Sequence, residues 1–215
     1  MKKELFAMCI ALFAVIGVQG QSTLGVKAGV NLAKLSNVED SKTNTSFHVT
    51  AFADFPLAPQ FSIQPGLSLQ GKGFKGEGEI SYSGENGTSG QGEGTGKINF
   101  LSLELPVNFV YYVPAGTGEF FVGAGPYIGL NLRAKAHFIS NDSDFGTTIS
   151  QNLKFSGRDK TVNMVDAGAN FLLGYKLVNG FLINGGYNLG LTNLLAKETD
   201  KFANRVLSFG IGFQF

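Results

Sequence analysis

The chain has 215 residues, with 30 glycines, 20 phenylalanines and six tyrosines, and its 17 basic and 16 acidic residues nearly cancel. So high an aromatic content excludes intrinsic disorder, and a near-neutral chain offers no electrostatic basis for binding nucleic acid. The one cysteine, Cys9, lies in an N-terminal apolar run, which excludes disulfides and thiol chemistry from the remainder.

The first twenty residues have the three parts of a secretory signal peptide. Two lysines follow the initial methionine, residues 5–18 form an apolar run, and Gly20 supplies a small residue for cleavage. A membrane-spanning helix needs about 20 apolar residues, so the shorter run argues against a retained N-terminal anchor. We therefore predict a cleaved signal peptide at residues 1–20 and a mature domain at residues 21–215, with 15 basic and 15 acidic residues.

Eight later segments show the period-two alternation that is typical of β-strands with two different faces. In the first of them, Leu24, Val26 and Ala28 alternate with Gly25 and Lys27. No segment after residue 20 is long and apolar enough for a membrane helix, whereas alternating strands cross membranes as barrels with apolar residues facing lipid. The predicted strands are residues 24–32, 46–55, 61–70, 97–112, 120–138, 162–177, 181–192 and 205–215.

The connections between these strands alternate in length. Residues 33–45, 71–96, 139–160 and 194–204 are long and polar, whereas residues 56–60, 113–118 and 177–180 are short and contain proline, glycine or asparagine. Outer-membrane barrels have short periplasmic turns and long outer loops. The pattern predicts an all-β, eight-stranded antiparallel up-and-down transmembrane barrel with both termini in the periplasm. Residues 71–96 contain ten glycines, and we expect them to form a mobile outer loop.

Aromatic residues flank each short connection at a common level. Rings at the membrane interface are typical of transmembrane barrels, so this clustering predicts a periplasmic girdle. It also argues against the main structural alternative, a soluble lipocalin-like barrel with its apolar face inward. The inner girdle is Phe55 and Phe61, Tyr111 and Phe120, Tyr175 and Phe181, with Phe215 at the end of the last strand; Phe47 and Phe138 are candidates for an outer girdle.

The predicted inward faces carry charges of both signs. The interior of an eight-stranded barrel is just wide enough to be filled by side chains, and buried charges there must pair. We therefore predict a polar plug of salt bridges, and the alternative is a narrow gated ion path, which normally requires one dominant sign of charge. The predicted interior network is Lys27, Asp54, Glu104, Arg133, Lys135 and Asp166.

Two histidines, His48 and His137, are predicted to face inward near the outer ends of their strands, with Ser46 and Ser102 available nearby. An enzyme at the barrel rim would need such groups joined in a triad, and no spacing fixes one. Two distant histidines without cysteine also lack the spacing of a metal site. We predict no catalytic residue, no metal and no cofactor.

Several short motifs resemble those of PorT-family outer-membrane β-barrel proteins of the Bacteroidetes. The motifs extend across residues 24–31, 123–129, 166–170, 174–175 and 187–194. The resemblance spans the mature chain and implies an outer-membrane location in a Gram-negative bacterium, with no shared catalytic site. The last strand, through Phe209, Ile211, Phe213 and Phe215, also resembles the C-terminal signal that outer-membrane assembly machinery reads.

Together these observations favour a non-enzymatic barrel that acts in envelope structure or in surface contact through its outer loops. A secretion or assembly accessory, a narrow pore and a rim enzyme remain open alternatives. The predicted partners are outer-membrane lipid, the assembly machinery and an unidentified envelope protein, and nucleic acid is excluded. Specific function is expected from residues 71–96 and 139–160.

Overall fold

Antiparallel strands make up nearly all of the described chain. A computed structural model describes residues 22–36, 42–83, 89–140, 148–157, 160–196 and 202–215, so the predicted signal peptide lies outside the described residues. Within these ranges no helix is long and apolar enough to cross a bilayer. The strands are β1 Thr23–Leu35, β2 Asn44–Ala58, β3 Phe61–Ser83, β4 Ser89–Ala115, β5 Gly118–Ser140, β6 Thr148–Asn152, β7 Val165–Leu177, β8 Phe181–Gly190 and β9 Asn204–Gln214.

Eight of these strands close into a ring. Consecutive strands of the ring pair with one another, and β5 pairs directly with β7. The last strand, β9, pairs with β1 and closes the ring, so Val30 on β1 lies opposite both Phe47 on β2 and Phe209 on β9. The ninth strand, β6, pairs with the upper part of β5 and adds to the sheet outside the ring. The predicted eight-stranded antiparallel barrel is confirmed.

The prediction of a mobile loop at residues 71–96 is wrong. In its described parts, residues 71–83 and 89–96, β3 and β4 form a paired hairpin, with Gly76 opposite Gly96 and Ser83 opposite Ser89. Backbone hydrogen bonds hold a ladder together whatever its side chains are, so glycine-rich, polar strands pair where no apolar face is needed. The predicted loop 139–160 likewise contains β6, whereas the predicted strand 162–177 begins only at Val165.

Large apolar side chains cover the outward face of the ring. Leu24, Val122 and Ile211 are more than half exposed, whereas a protein folded in water would bury such residues. Near the short turns the aromatic rings contact one another, with centroid distances of 4.7 Å for Phe61–Tyr111 and 4.8 Å for Phe120–Tyr175. The Phe138 side chain lies outside the described part of the structure.

A β-bulge at Leu132 reverses the alternation in the upper part of β5. Ser102 lies opposite Asn131, but Leu101 lies opposite Arg133, so Leu132 is an extra residue in the ladder. Beyond the bulge Ala134 is buried and Arg133 is exposed. The predicted inward orientation of Arg133, Lys135 and His137 is therefore wrong, because one added residue transfers every later side chain to the opposite face.

Candidate functional site

The interior of the ring brings together four of the six charged residues that the sequence placed there. Asp54, Glu104 and Asp166 are almost completely buried, and Lys27 is partly buried. Arg133 and Lys135 lie on the other face because of the bulge at Leu132. The four inward charges form two groups. Lys27 and Asp54 lie toward the short turns, and Glu104 and Asp166 lie farther from them, in the centre of the interior.

Lys72 is the cation at the centre of the upper network, and the sequence interpretation missed it. Its side chain is fully buried, its ammonium forms ion pairs with Glu104 and Asp166, and the Nζ–Oδ2 distance to Asp166 is 2.8 Å. Lys72 lay in the segment predicted to be a loop. Continuing the alternation of the third strand through Ser68 and Gln70 would have placed it inward.

Neutral side chains complete the shell around these carboxylates. Thr192 Oγ1 donates to Asp166 Oδ1 over 2.8 Å, and Asn204 Nδ2 donates to Asp166 Oδ2 over 3.0 Å. Asn188 Nδ2 donates to Glu104 Oε2 over 3.3 Å, and the Lys72 ammonium lies 4.7 Å from the centroid of the Tyr127 ring. The shell matters because a buried ion cluster persists only when hydrogen bonds replace the lost hydration.

An apolar layer closes the interior near the short turns. Phe52, Tyr112, Phe121 and Leu182 pack together there with Val110 and Leu172. Polar groups hold the rim of this layer: Gln64 Nε2 donates to Asp54 Oδ1 over 3.0 Å and to the Tyr112 hydroxyl over 2.7 Å. Gln214 also donates to Asp54, and the Lys27 ammonium lies 4.6 Å from the centroid of the Phe52 ring.

A small polar cavity lies between the apolar layer and the ion cluster. Its volume is about 50 Å³, which is room for a few waters at most. Lys27, His48 and Glu104 contribute to its wall. Side-chain hydrogen bonds line the wall at the same level: the Thr50 and Ser68 hydroxyls, on neighbouring strands, are 2.6 Å apart, and Asn170 Nδ2 donates to Asn108 Oδ1 over 2.8 Å. This space is too small for a continuous aqueous channel.

A second apolar cluster covers the ion cluster from the end of the barrel opposite the short turns. Leu35, Phe100, Ala134, Val162 and Leu194 are buried in it, and partly buried residues such as Phe155 and Phe202 pack against them. Backbone hydrogen bonds fix the covering segments, including Asn163 N to Leu194 O at 2.8 Å and Leu194 N to Phe202 O at 2.9 Å. The interior therefore has apolar layers at both ends and a polar centre.

The histidines and serines do not assemble a triad. His48 is buried and its Nδ1 lies 2.9 Å from Asn31 Oδ1. Ser46 donates to the Gly71 carbonyl and Ser102 donates to Asn131. The second histidine, His137, contacts Ser150 on the exposed side of β5 and β6. Among the described residues, no group of three or more His, Cys, Asp or Glu side chains is arranged to hold a metal ion.

An open cleft of about 550 Å³ lies at the short-turn end, below the inner apolar layer. Its wall includes Glu119 and Lys176, whose carboxylate and ammonium are 2.8 Å apart, and the exposed turn residue Val178. The apolar layer separates this cleft from the polar centre. The residues of the resembled C-terminal signal (Phe209, Ile211, Phe213 and Phe215) all lie exposed on the outward face of β9 or at its end.

Comparisons with known proteins found one family model and several solved structures that are similar to this chain. A family model described as outer membrane protein beta-barrel domain matches residues 19–196. No curated protein sequence matches the chain. Neisserial surface protein A is similar in structure, with 12% sequence identity and a TM-score of 0.46 over 92% of this chain and 100% of that one. Ail of Yersinia pestis is also similar, with 13% identity and a TM-score of 0.42 over 91% of this chain and 100% of that one. The N-terminal barrel domain of Pseudomonas aeruginosa OprF has 12% identity and a TM-score of 0.38 over 92% of this chain and 100% of that one.

Proposed function

Since this chain belongs to the outer membrane protein beta-barrel domain family, we propose that it is a closed, non-enzymatic barrel that makes contacts at the cell surface. The observation that carries this proposal is the filled interior. Apolar layers block both ends, and the Lys72 ion cluster occupies the centre. A barrel without a path through it acts through its surfaces, and its most extended surface is the β3–β4 hairpin.

The hairpin supports a role in surface contact because it continues well past the ring. The β2–β3 pairing ends at His48 and Gln70 apart from one isolated bridge, while β3 and β4 remain paired up to Ser83 and Ser89. Strands that leave a barrel expose unpaired backbone groups at their edges, which other chains can use for pairing. An envelope protein that contacts this hairpin is the partner we propose.

The proposal includes export and orientation. Residues 1–20 act as a cleaved signal peptide, the C-terminal strand is read by the assembly machinery, and the long connections face outward. The PorT-type resemblance supports a Bacteroidetes source for this arrangement. The mass of the mature protein tests the cleavage, because removal of residues 1–20 leaves a chain that begins at Gln21.

Single cysteines test the orientation cleanly, since Cys9 lies in the segment that we propose is removed. A membrane-impermeant maleimide added to intact cells should label Thr95→Cys in the hairpin. It should label Val178→Cys, in an exposed short turn, only after the outer membrane is permeabilised. The reverse pattern would contradict the orientation, and equal labelling in intact cells would contradict membrane insertion.

The open cleft beside Val178 favours a second candidate function, a secretion or assembly accessory. Its volume of about 550 Å³ and its Glu119–Lys176 pair suit a peptide from a periplasmic protein. Photo-crosslinkers placed at Val178 and at Thr95 distinguish the two candidates. Adducts confined to Thr95 support surface contact, and adducts confined to Val178 support the accessory role.

A further inference from the structure

A group of basic side chains lies on the outward face of β4 and β5. Lys97 lies directly opposite His137, and Leu101 lies opposite Arg133; Asn99 and Lys135 form the pair between them. Directly opposed residues in an antiparallel pair share one face of the sheet. The contact between His137 Nδ1 and Ser150 Oγ at 2.9 Å shows that this face continues onto β6. We call Lys97, Arg133, Lys135 and His137 the basic patch.

The bulge at Leu132 creates this patch. Without the extra residue, Arg133, Lys135 and His137 would point into the barrel, in register with the inward-facing Asn131. With it, Ala134 takes the buried position against Phe100, and the three basic residues turn outward. Bulges at barrel rims commonly redirect side chains that have a task.

The height of the patch matches the outer interface of the membrane. Tyr111, in the aromatic level beside a short turn, and Leu101, at the base of the patch, are ten residues apart on β4. At a rise of about 3.3 Å per residue and a tilt of about 40°, that separation spans roughly 25 Å along the membrane normal, the usual height of the apolar band. Arg133 then lies at the upper interface, and Lys97 lies roughly 10 Å higher on the same basis.

The cations of the patch are available to a ligand. Lys97, Arg133 and Lys135 form no ion pair with any side chain that the structure describes. Lys72 and Lys176, by contrast, both form ion pairs. Exposed apolar side chains, Leu132 among them, lie directly below the patch. A lipid whose acyl chains contact this apolar surface would hold its headgroup against the basic groups above it.

We propose that the basic patch binds the phosphate groups of an anionic, phosphorylated glycolipid in the outer leaflet. Arg133 offers a planar guanidinium that binds phosphate through two hydrogen bonds, and the lysines supply further charge. Each basic residue near a membrane surface adds to the attraction for anionic headgroups. The inference rests on the proposed orientation, because the patch meets the outer leaflet only if the long connections face outward.

Native mass spectrometry of the delipidated, refolded barrel tests the inference, with bisphosphorylated lipid A as the probe. We expect Arg133→Gln combined with Lys135→Gln to weaken binding about tenfold or more, and dephosphorylated lipid A to bind the wild type equally weakly. The control Lys34→Gln combined with Lys160→Gln removes two positive charges elsewhere and should retain wild-type affinity. Arg133→Lys should lose less than Arg133→Gln because it keeps the charge.

Three results would overturn the assignment. One is equal binding of phosphorylated and dephosphorylated lipid A, and another is unchanged affinity in the double variant. The third is full competition by millimolar inorganic phosphate, which would assign the patch to a soluble anion. Heat-modifiable gel mobility of every variant reports folding separately. An ion current through the wild type would contradict the closed barrel but would not affect the measured binding of lipid A. The two proposals can therefore fail independently.

Discussion

Lys72 and Asp166 are 94 residues apart in the chain, and the Lys72 ammonium donates to Asp166 Oδ2 over 2.8 Å inside the barrel. The contact joins β3 to β7 across the interior, and Glu104 on β4 completes the cluster. It closes the centre of the barrel with charges that balance one another only in part, because one cation faces two carboxylates.

Removing that cation should destabilise the barrel strongly. Lys72→Met leaves two buried carboxylates without a counter-charge, so we expect a loss of about 3–5 kcal/mol in the free energy of unfolding. Urea unfolding in lipid vesicles measures the change. Lys34→Met, at an exposed position on β1, is the control and should change stability by less than about 0.5 kcal/mol. Equal stability of the two variants would show that the cluster does not hold the interior together.

Two strand glycines, Gly125 on β5 and Gly76 on β3, should respond differently to alanine. A Cβ at Gly125 would lie 1.8 Å from the Val107 carbonyl oxygen, whereas a Cβ at Gly76 would meet no atom within 4 Å. The backbone must shift to accept Gly125→Ala, so we expect a loss of about 1–3 kcal/mol. Gly76→Ala should lie within about 0.5 kcal/mol of wild type. The same urea titration measures both, and a tolerated Gly125→Ala would contradict the close approach of β4 and β5.

The bulge at Leu132 can be tested by placing one acidic residue at each of two neighbouring positions. Ala134 is 2% exposed among apolar side chains, and Arg133 is exposed. Ala134→Asp buries an unpaired polar group and should cost at least about 2 kcal/mol. Arg133→Asp should change stability little. If Arg133→Asp were the damaging substitution, the uninterrupted alternation expected from the sequence would be right and the bulge wrong.

These positions also show which parts of the fold can be predicted from the sequence alone. Period-two alternation predicted the ring and its strand order, because lipid and interior impose different chemistry on the two faces of each strand. It could not detect the extra residue at Leu132, since Leu101, Leu132 and Ala134 are all apolar and the pattern continues through them. The sequence prediction therefore assigned Arg133 and Lys135 to the inward face, although they lie on the outward one.

Lys72 was missed for a different reason. The stretch that follows it is rich in glycine and polar residues, and composition predicts a loop there. A paired ladder outside the membrane needs only backbone hydrogen bonds, which composition does not report. The available signal was the alternation of the third strand, because continuing it through Ser68 and Gln70 places Lys72 on the inward face.

The terminal aromatic residue should matter for assembly rather than for stability. Phe215 is 71% exposed, and its ring contacts that of Phe213 at a centroid distance of 5.2 Å. We expect Phe215→Ala to lower the fraction of heat-modifiable barrel in cells while urea-refolded protein reaches the wild-type stability. Phe120→Ala, which removes another exposed ring near the short turns, is the control. Normal assembly of Phe215→Ala in cells would contradict a targeting role for the last strand.

The central claim is that the barrel is closed, and single-channel recording on the purified wild-type protein in a planar lipid bilayer tests it most directly. Among the described residues, apolar layers lie at both ends of the interior and the polar cavity between them has a volume of about 50 Å³. The expected record is therefore a flat baseline without steady current steps, in protein whose folding is shown by heat-modifiable mobility. Reproducible, long-lived openings whose current scales with voltage would contradict it.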